Sequence, residues 1–281
     1  MLPKFKIIIL FITSIFLLGC NQKVEKTSQI KETDIKLQMI ESYNEGVNQL
    51  KKGDVLFAVK KFNEVELLLP QSEWASKSIL MSAYAYYSQD YYNDAIFELN
   101  RFLKLYSKHK DIPYANFLLA MCYYEQIVDE KKDLFSITES KKIFQYIVRE
   151  YPETDFALDA KFKLLLIDNI LASKEMYVAR YYMDKKKWIP AINRFKKVVQ
   201  EYDKTIYIEE ALHRLVEIYY VIGLTGESEK YATTLGYNYQ SSAWYAESYK
   251  IFNQKYKNNI DTIRKEKKIN LITEKIKSLV K

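Results

Sequence analysis

The chain has 281 residues, of which 48% are hydrophobic and only six are glycine and five are proline. So few turn residues favour a soluble helical protein with a continuous core and disfavour a sheet-rich fold. The net charge of +7 lies mostly outside the body, because residues 253–281 carry nine Lys or Arg against three acids and Lys4 and Lys6 supply two more charges. The nearly neutral remainder lacks the basic surface of a nucleic-acid-binding protein.

The N-terminus has the three parts of an export signal. Lys4 and Lys6 precede an apolar run over residues 7–18, interrupted only by two hydroxyl residues, and a glycine follows. This run would form about 18 Å of helix, well short of the roughly 30 Å hydrocarbon core of a bilayer. The pattern therefore predicts a removable signal peptide over residues 1–19.

A lipid attachment site follows the signal. The motif Leu17-Leu18-Gly19-Cys20 resembles the bacterial lipobox, in which the cysteine is acylated and becomes the first residue of the mature protein. We therefore predict lipidation of Cys20, a polar tether over residues 20–35 and a folded part that starts near Lys36. Asn21 fits release to the outer membrane, by analogy with lipoprotein sorting in enteric bacteria. The alternative is an ordinary signal peptide followed by a chance cysteine.

The body begins with a recognisable repeat. Relative to a start at Met39, five residues occupy positions 8, 15, 20, 24 and 32: Gly46, Gly53, Ala58, Phe62 and Pro70. These are signature positions of the tetratricopeptide repeat. Small residues at positions 8 and 20 let two antiparallel helices approach, the aromatic residue fills the gap to the next pair, and the proline ends the second helix.

Four further repeats follow in the same register. Their matching residues are Ala83, Tyr86, Tyr92, Ala95 and Leu99; Ala120, Tyr123, Ser140, Phe144, Ile147 and Pro152; Ala179, Tyr182, Trp188, Ala191, Phe195 and Val198; and Leu212, Leu215, Tyr219, Gly223, Ser228 and Ala232. The third repeat contains a charged insertion over residues 128–138, and the fourth begins with a long helix from about Phe156 to Tyr182. The sequence predicts an all-α tetratricopeptide-repeat solenoid of five helix pairs over residues 36–240.

Proline positions agree with these helices. We expect Pro70, Pro113 and Pro152 to lie between helices and Pro190 to lie in the first turn of one, where a missing N–H costs nothing.

The sequence contains little that indicates catalysis. His109 and His213 belong to no metal-binding pattern, and nucleophile and phosphate-binding motifs are missing. Cys122 lies in an apolar stretch and is expected to be a small buried hydrophobe. We predict no metal, no cofactor beyond the lipid on Cys20, and no enzymatic activity.

Distinctive segments stand out against the generic repeat pattern. They are Ser82–Tyr87 on a first helix, Arg101-Phe102 with the loop over residues 109–114, the pair Tyr181-Tyr182, and Trp188 with Asn193-Arg194. Together with the insertion in repeat three and the long helix of repeat four, they resemble the BamD family of outer-membrane tetratricopeptide lipoproteins of Gram-negative bacteria. The similarity covers about residues 36–250.

The resemblance implies a non-enzymatic role in the β-barrel assembly machinery, which folds and inserts outer-membrane β-barrel proteins. In the family, the N-terminal repeats offer a groove for the C-terminal targeting signal of unfolded barrel proteins. Tyr84, Tyr86, Tyr87 and Tyr114 are candidates for that groove, because aromatic side chains accept the alternating apolar residues of a barrel strand. Packing between helices is the alternative role for each tyrosine.

The resemblance also implies that the C-terminal repeats dock the BamA barrel, with other lipoproteins of the complex as further partners. Arg194 corresponds to the family position that pairs with an acidic residue of BamA, and Trp188 and Asn193 belong to the same segment. An always-charged, five-donor side chain suits such a bond, although a solvated arginine is the alternative. Residues 185–187 are lysines that would steer an acidic partner, and Lys186 stands where relatives often carry glycine.

The C-terminal residues 241–281 are predicted to form one more helix, opening at Ala243, and a basic tail. The tail carries apolar residues at near-helical spacing among its lysines, which suits an anionic lipid surface or a partner, while a solvated tail is the alternative. The predicted location is the periplasmic face of the outer membrane, through the lipid anchor. A different periplasmic repeat lipoprotein, such as a pilus or envelope-biogenesis adaptor, is the competing function, and a cell-wall enzyme is a weaker third.

Overall fold

A computed structural model describes residues 32–127 and 134–253, which contain eleven helices and no strand. The helices are α1 (Glu32–Lys51), α2 (Val55–Leu68), α3 (Glu73–Tyr87), α4 (Tyr92–Leu105), α5 (Ile112–Glu125), α6 (Phe135–Glu150), α7 (Asp155–Asp184), α8 (Trp188–Glu201), α9 (Ile208–Val221), α10 (Thr225–Asn238) and α11 (Ala243–Phe252). The first ten form five consecutive pairs, so the predicted all-α repeat fold is confirmed. The predicted signal peptide, Cys20, and the tail beyond residue 253 lie outside the described residues.

The described residues divide into two compact units, one up to Ser78 and one from Ile79 onward. In the first unit, α1 and α2 meet at Gly46, where an added Cβ would lie 2.8 Å from the ring of Phe62. The ring of Tyr43 packs on Phe62 at a centroid distance of 5.5 Å and on Trp74 at 5.0 Å. The absence of a side chain at Gly46 therefore lets the Phe62 ring lie directly against α1 at this helix crossing.

A small residue lies fully buried at the same place in every second helix. These residues are Ala58, Ala95, Ser140, Ala191 and Ser228. The two serines satisfy their buried hydroxyls by donating to carbonyls of the preceding helix, Ser140 to Ala120 at 3.1 Å and Ser228 to Val216 at 2.8 Å. This agrees with the register predicted from the sequence, because only a small side chain lets the paired helices approach.

Buried phenylalanines stand at the centre of the packing in the second unit. Phe102, Phe144 and Phe195 lie on α4, α6 and α8, and each is completely buried. Truncating such a side chain to alanine costs about 3–5 kcal/mol in a well-packed core. These residues hold each helix pair against the next.

The turns within four helix pairs share an unusual backbone conformation. A residue with positive φ occupies each turn: Gly53 at 84°, Asp90 at 62°, Lys186 at 55° and Gly223 at 82°. Two of the four are not glycine, and a side chain in the left-handed region costs roughly 1–2 kcal/mol. Lys186, where the family resemblance implies glycine, therefore carries local backbone strain.

The first helix starts earlier than the sequence suggested. Helix α1 begins at Glu32, four residues before the expected start at Lys36. Among these first residues, Asp34 places negative charge in the first turn, where the partial positive charge of a helix N-terminus stabilises it. Polar composition had marked these residues as tether, although acidic residues suit a helix start.

Two local predictions were wrong. Pro113 and Tyr114 lie in the first turn of α5, not in a loop, because proline is tolerated where the backbone N–H has no helical partner. Helix α6 begins at Phe135, inside the predicted insertion, since the buried side chain of Ile137 anchors this turn to the core. Of the insertion, residues 128–133 lie outside the described part. Pro70 and Pro152 lie between helices and Pro190 lies in the first turn of α8, as predicted.

Candidate functional site

Three of the four predicted groove tyrosines come together on α3 and α5. Tyr84 is 42% exposed, whereas Tyr87 and Tyr114 are half-buried against the core. Burial raises the pKa of Tyr114 to about 12, and the neighbouring hydroxyls of Tyr84 and Tyr87 contribute to the increase. The ring of Tyr114 also packs on Phe156 at a centroid distance of 5.8 Å. These three tyrosines thus form an aromatic surface on α3 and α5, in which Tyr114 keeps its hydroxyl proton.

Tyr86 lies on a different side of α3. Its ring packs edge-on against Tyr91 at 6.3 Å. Burial raises its pKa, and so do the nearby carboxylates of Asp94 and Glu98 on α4. Residues 84 and 87 share a helix face whereas residue 86 does not, since neighbours on a helix surface are three or four positions apart. The structure therefore does not bring Tyr86 together with the other three tyrosines.

The second predicted surface lies at the α7–α8 pair. Asn193 and Arg194 line a concavity of about 380 Å³, together with Tyr182, Ile189, Pro190 and Lys197. Asn193 is exposed, and the side chain of Arg194 is 45% exposed. An amide and a guanidinium beside an aromatic ring offer donors suited to a carboxylate.

Arg194 is already paired within the chain. Its Nη1 donates to Glu175 Oε2 at 2.8 Å, and Lys197 Nζ donates to Glu175 Oε1 at 2.7 Å. The Glu175 side chain is only 10% exposed. Its burial acts to raise the pKa, but the bonds from Lys197 and Arg194 outweigh burial and lower the pKa below its ordinary value. This carboxylate thus stays ionised and holds both cations in fixed positions.

Trp188 and the preceding lysines have separate roles. Trp188 is the first residue of α8 and packs against the core around Ala191 and Phe195, so its indole does not line the concavity. Residues 185–187 are exposed in the turn before it. They surround the start of α8 with positive charge, as the sequence suggested.

Sequence reasoning missed Glu175 and Lys197. Lys197 follows Arg194 by three positions, so both lie on one face of α8 and would favour a shared acidic partner. Glu175 lies on another helix, and no local pattern separates it from a solvated glutamate. The pairing of two cations three positions apart was the only available signal.

The residues expected to be structural are buried or partnered. Burial raises the pKa of the Cys122 thiol to about 12, which leaves it as an inert thiol in the core. His213 is buried, and its Nδ1 shares a hydrogen bond of 2.7 Å with Ser248 Oγ. Within residues 32–127 and 134–253, no three His, Cys, Asp or Glu side chains gather as a metal site requires.

Comparison with known proteins identifies the family. The YfiO family, described as an outer membrane lipoprotein, matches residues 36–235. The outer membrane protein assembly factor BamD of Caulobacter vibrioides is 37% identical over 235 residues, covering 84% of this chain and 76% of that protein. BamD of Rickettsia prowazekii is 36% identical over 242 residues, covering 86% and 94%. The chain belongs to the BamD family.

Membership of the BamD family confirms the predicted resemblance. The relatives are named as assembly factors, in agreement with the prediction of a non-enzymatic protein. Among solved structures, the TPR2AB domain of yeast Sti1 in complex with pHSP90 aligns with a TM-score of 0.44 and 13% identity, covering 82% of this chain and 89% of that chain. Of the helices described here, none combines the length and apolar character that crossing a bilayer requires.

Proposed function

We propose that this chain is a lipoprotein scaffold of the β-barrel assembly machinery at the periplasmic face of the outer membrane. The observation that carries the proposal is its similarity to BamD proteins over more than four-fifths of the chain. In this role it binds unfolded outer-membrane proteins on one surface and docks a BamA-type barrel, with other lipoproteins of the complex, on another. Both actions require stable binding surfaces, and neither requires catalysis.

The tyrosine surface of α3 and α5 is the proposed site for unfolded barrel proteins. Tyr84, Tyr87 and Tyr114 combine apolar rings with hydroxyl donors, so they accept the alternating side chains of a barrel strand without reading one sequence. Exposed Tyr84 supplies a ring without holding the core together. Tyr86, predicted as a fourth member, faces α4 and is not part of this proposed surface.

The binding test uses a fluorescent peptide that carries the C-terminal strand of an outer-membrane barrel. Tyr84→Ser should weaken binding about tenfold, since a lost aromatic contact costs roughly 1.5 kcal/mol. Tyr91→Ser is the matched control, because Tyr91 is similarly exposed at 47% and lies outside the surface. Equal affinities for the two variants would remove this surface from the proposal.

The concavity at Arg194 is the proposed docking site for the barrel subunit. Glu175 holds the guanidinium of Arg194 in place. The side of the Arg194 side chain that faces away from Glu175 remains exposed and can bind an acidic residue of the partner. Asn193 supplies a further donor, Trp188 fixes the start of α8 by packing on the core, and the lysines 185–187 raise the rate of encounter with an acidic surface.

Affinity purification in mild detergent, followed by mass spectrometry, tests docking. Wild-type chain should recover a BamA-type barrel, and Arg194→Glu should lower the recovery about tenfold. Arg149→Glu on the exposed face of α6 is the matched control and should retain recovery. Glu175→Gln keeps the arginine but no longer fixes its position, so it should lower recovery less than Arg194→Glu does. If wild-type chain recovers no barrel, the proposed function fails, and recovery of pilus components would support the alternative adaptor role.

Anchoring through Cys20 is the last part of the proposal. Mass spectrometry of the mature chain should find acyl groups on Cys20, and Cys20→Ser should abolish them and release the protein from membranes. An unmodified Cys20 in the wild-type chain would refute lipidation. If Cys20→Ser stays membrane-bound at normal levels, partners and not the lipid hold the protein in place.

A further inference from the structure

A groove between α10 and α11 is lined by aromatic side chains that are partly exposed. It encloses about 590 Å³, and Tyr237, Tyr249 and Phe252 contribute to its lining. Their exposed fractions are 85%, 40% and 40%. Large apolar side chains that gather at a groove while exposed to this extent mark an interaction surface.

The walls of this groove are held in place by contacts beneath them. An added Cβ on Gly236 would lie 2.7 Å from the ring of Tyr245, so α10 and α11 approach closely at this point. The hydrogen bond between His213 and Ser248 ties α11 to α9. The groove is therefore part of the fold, as binding sites usually are.

The rim of the groove is acidic. Glu229 lines it directly. An adjoining concavity shares Tyr237 and Gln240 with the groove and has Glu209 in its wall. A segment that fits this surface needs an apolar stripe for the tyrosines and positive charge for the two carboxylates.

The chain itself supplies such a segment next to the groove. The described residues end at Asn253, immediately after Phe252, which lines the groove. Residues 254–281 follow, with nine Lys or Arg against three acids. Apolar residues recur in this segment at the three- and four-residue spacing of a helix face: Ile269, Ile272, Ile276, Leu279 and Val280.

We propose that residues 264–281 bind in cis to the groove between α10 and α11. The apolar stripe covers Tyr237 and Phe252, and the lysines lie beside Glu209 and Glu229. The ten residues before this segment span up to about 35 Å when extended, which is ample for a groove that begins at the last described helix. Attachment to the same chain gives the segment an effective concentration of about a millimolar. The inference goes beyond the proposed function and does not depend on it.

An anionic lipid surface is the competing occupant for a basic amphipathic segment. The structure favours the groove, because it provides aromatic walls and carboxylates directly where the chain leaves the last described helix. The two occupants differ in one respect that an experiment detects. The groove engages the segment without any anionic lipid, whereas a membrane surface needs it.

The test uses the full chain in nanodiscs of zwitterionic phosphatidylcholine, which accommodate a lipid anchor but offer no anionic surface. Trypsin should cleave residues 264–281 at their lysines at least about threefold faster in Tyr237→Glu than in the wild-type chain, because release of this segment from the groove exposes the cleavage sites. Ile206→Glu is the matched control, since Ile206 is 79% exposed and does not line the groove. The double change Ile272→Asp and Ile276→Asp should speed amide hydrogen exchange in α10 and α11 by a similar factor.

Two results would overturn the inference. One is equal cleavage rates in Tyr237→Glu and wild-type chain, together with unchanged exchange in α10 and α11 when the segment is altered. The other is protection of the segment that appears only in nanodiscs containing phosphatidylglycerol, which would assign it to the membrane. Neither result bears on the docking site at Arg194, so failure here is distinguishable from failure of the proposed function.

Discussion

Arg194 Nη1 lies 2.8 Å from Glu175 Oε2, yet the arginine side chain is 45% exposed and the glutamate side chain only 10%. The guanidinium therefore satisfies a nearly buried charge on one side and faces solvent on the other. An arginine held this way loses little side-chain entropy on binding a partner. In the proposed function this pair contributes both to stability and to binding of the partner, and substitutions separate the two contributions.

Replacing Glu175 by glutamine should lower the free energy of unfolding by about 1–2 kcal/mol, because two cations lose their shared charge in a partly solvated setting. Urea unfolding followed by circular dichroism measures the loss. The control is Glu150→Gln, since the Glu150 side chain is 44% exposed and pairs with an exposed arginine. A wild-type midpoint for Glu175→Gln would mean that the two ion pairs of Glu175 contribute no stability.

The same carboxylate makes stability depend on pH in the acid range. The pKa of Glu175 in the folded chain lies below its ordinary value of 4.5, so the folded state favours the ionised form. Its contribution is fully present above pH 4.5 and is lost as the pH falls through the lowered value. Urea midpoints between about pH 7 and pH 3 should decline less steeply in Glu175→Gln than in the wild-type chain. Parallel declines would contradict this assignment.

Lys186→Gly should stabilise the chain by about 0.5–1 kcal/mol, and so raise the melting temperature by about 1–4 °C, because glycine relieves the positive φ of 55° at the α7–α8 turn. The matched control is Lys185→Gly. Lys185 has an ordinary φ of −82°, so glycine there only adds freedom to the unfolded chain and should destabilise it. Thermal unfolding distinguishes the two variants. Equal effects would show that the turn conformation carries no strain.

Gly46→Ala should destabilise the chain by about 1–3 kcal/mol, because the new methyl group would press on the fully buried ring of Phe62. Gly226→Ala in α10 serves as the control, since nothing lies within 4 Å of an added Cβ there. That change should be neutral or slightly stabilising, as alanine is the better helix former. Denaturant midpoints test the contrast, and a tolerated alanine at Gly46 would mean that the ring has room to move.

The helix pairs were predictable because their sequence signal is steric. A small residue at Gly46 and at Ala58 is needed wherever two helices cross closely, so the requirement repeats at a fixed interval. Helix ends were less predictable, since Pro113 is compatible both with a loop and with a first helical turn. The choice depends on packing from elsewhere in the chain.

The candidate site was only partly predictable for a related reason. The sequence placed Tyr84 and Arg194 on helices but gave no sign of what lies opposite them. Glu175 reaches Arg194 from another helix, and Tyr86 turns toward α4, both through contacts that no local pattern encodes. The Glu175 carboxylate that binds both Arg194 and Lys197 is therefore identified only from the structure.

Glycine, aspartate and lysine all adopt the left-handed conformation at equivalent turns of the repeats. The helices on either side thus impose the turn conformation, and glycine, aspartate or lysine adopts it when placed there. Mutation is free to replace the glycine at modest cost while the small residues at the helix crossings persist. A pattern search that demanded a turn glycine would overlook the helix pairs at Asp90 and Lys186, so divergent members of such repeat arrays are better sought through their helix-crossing positions.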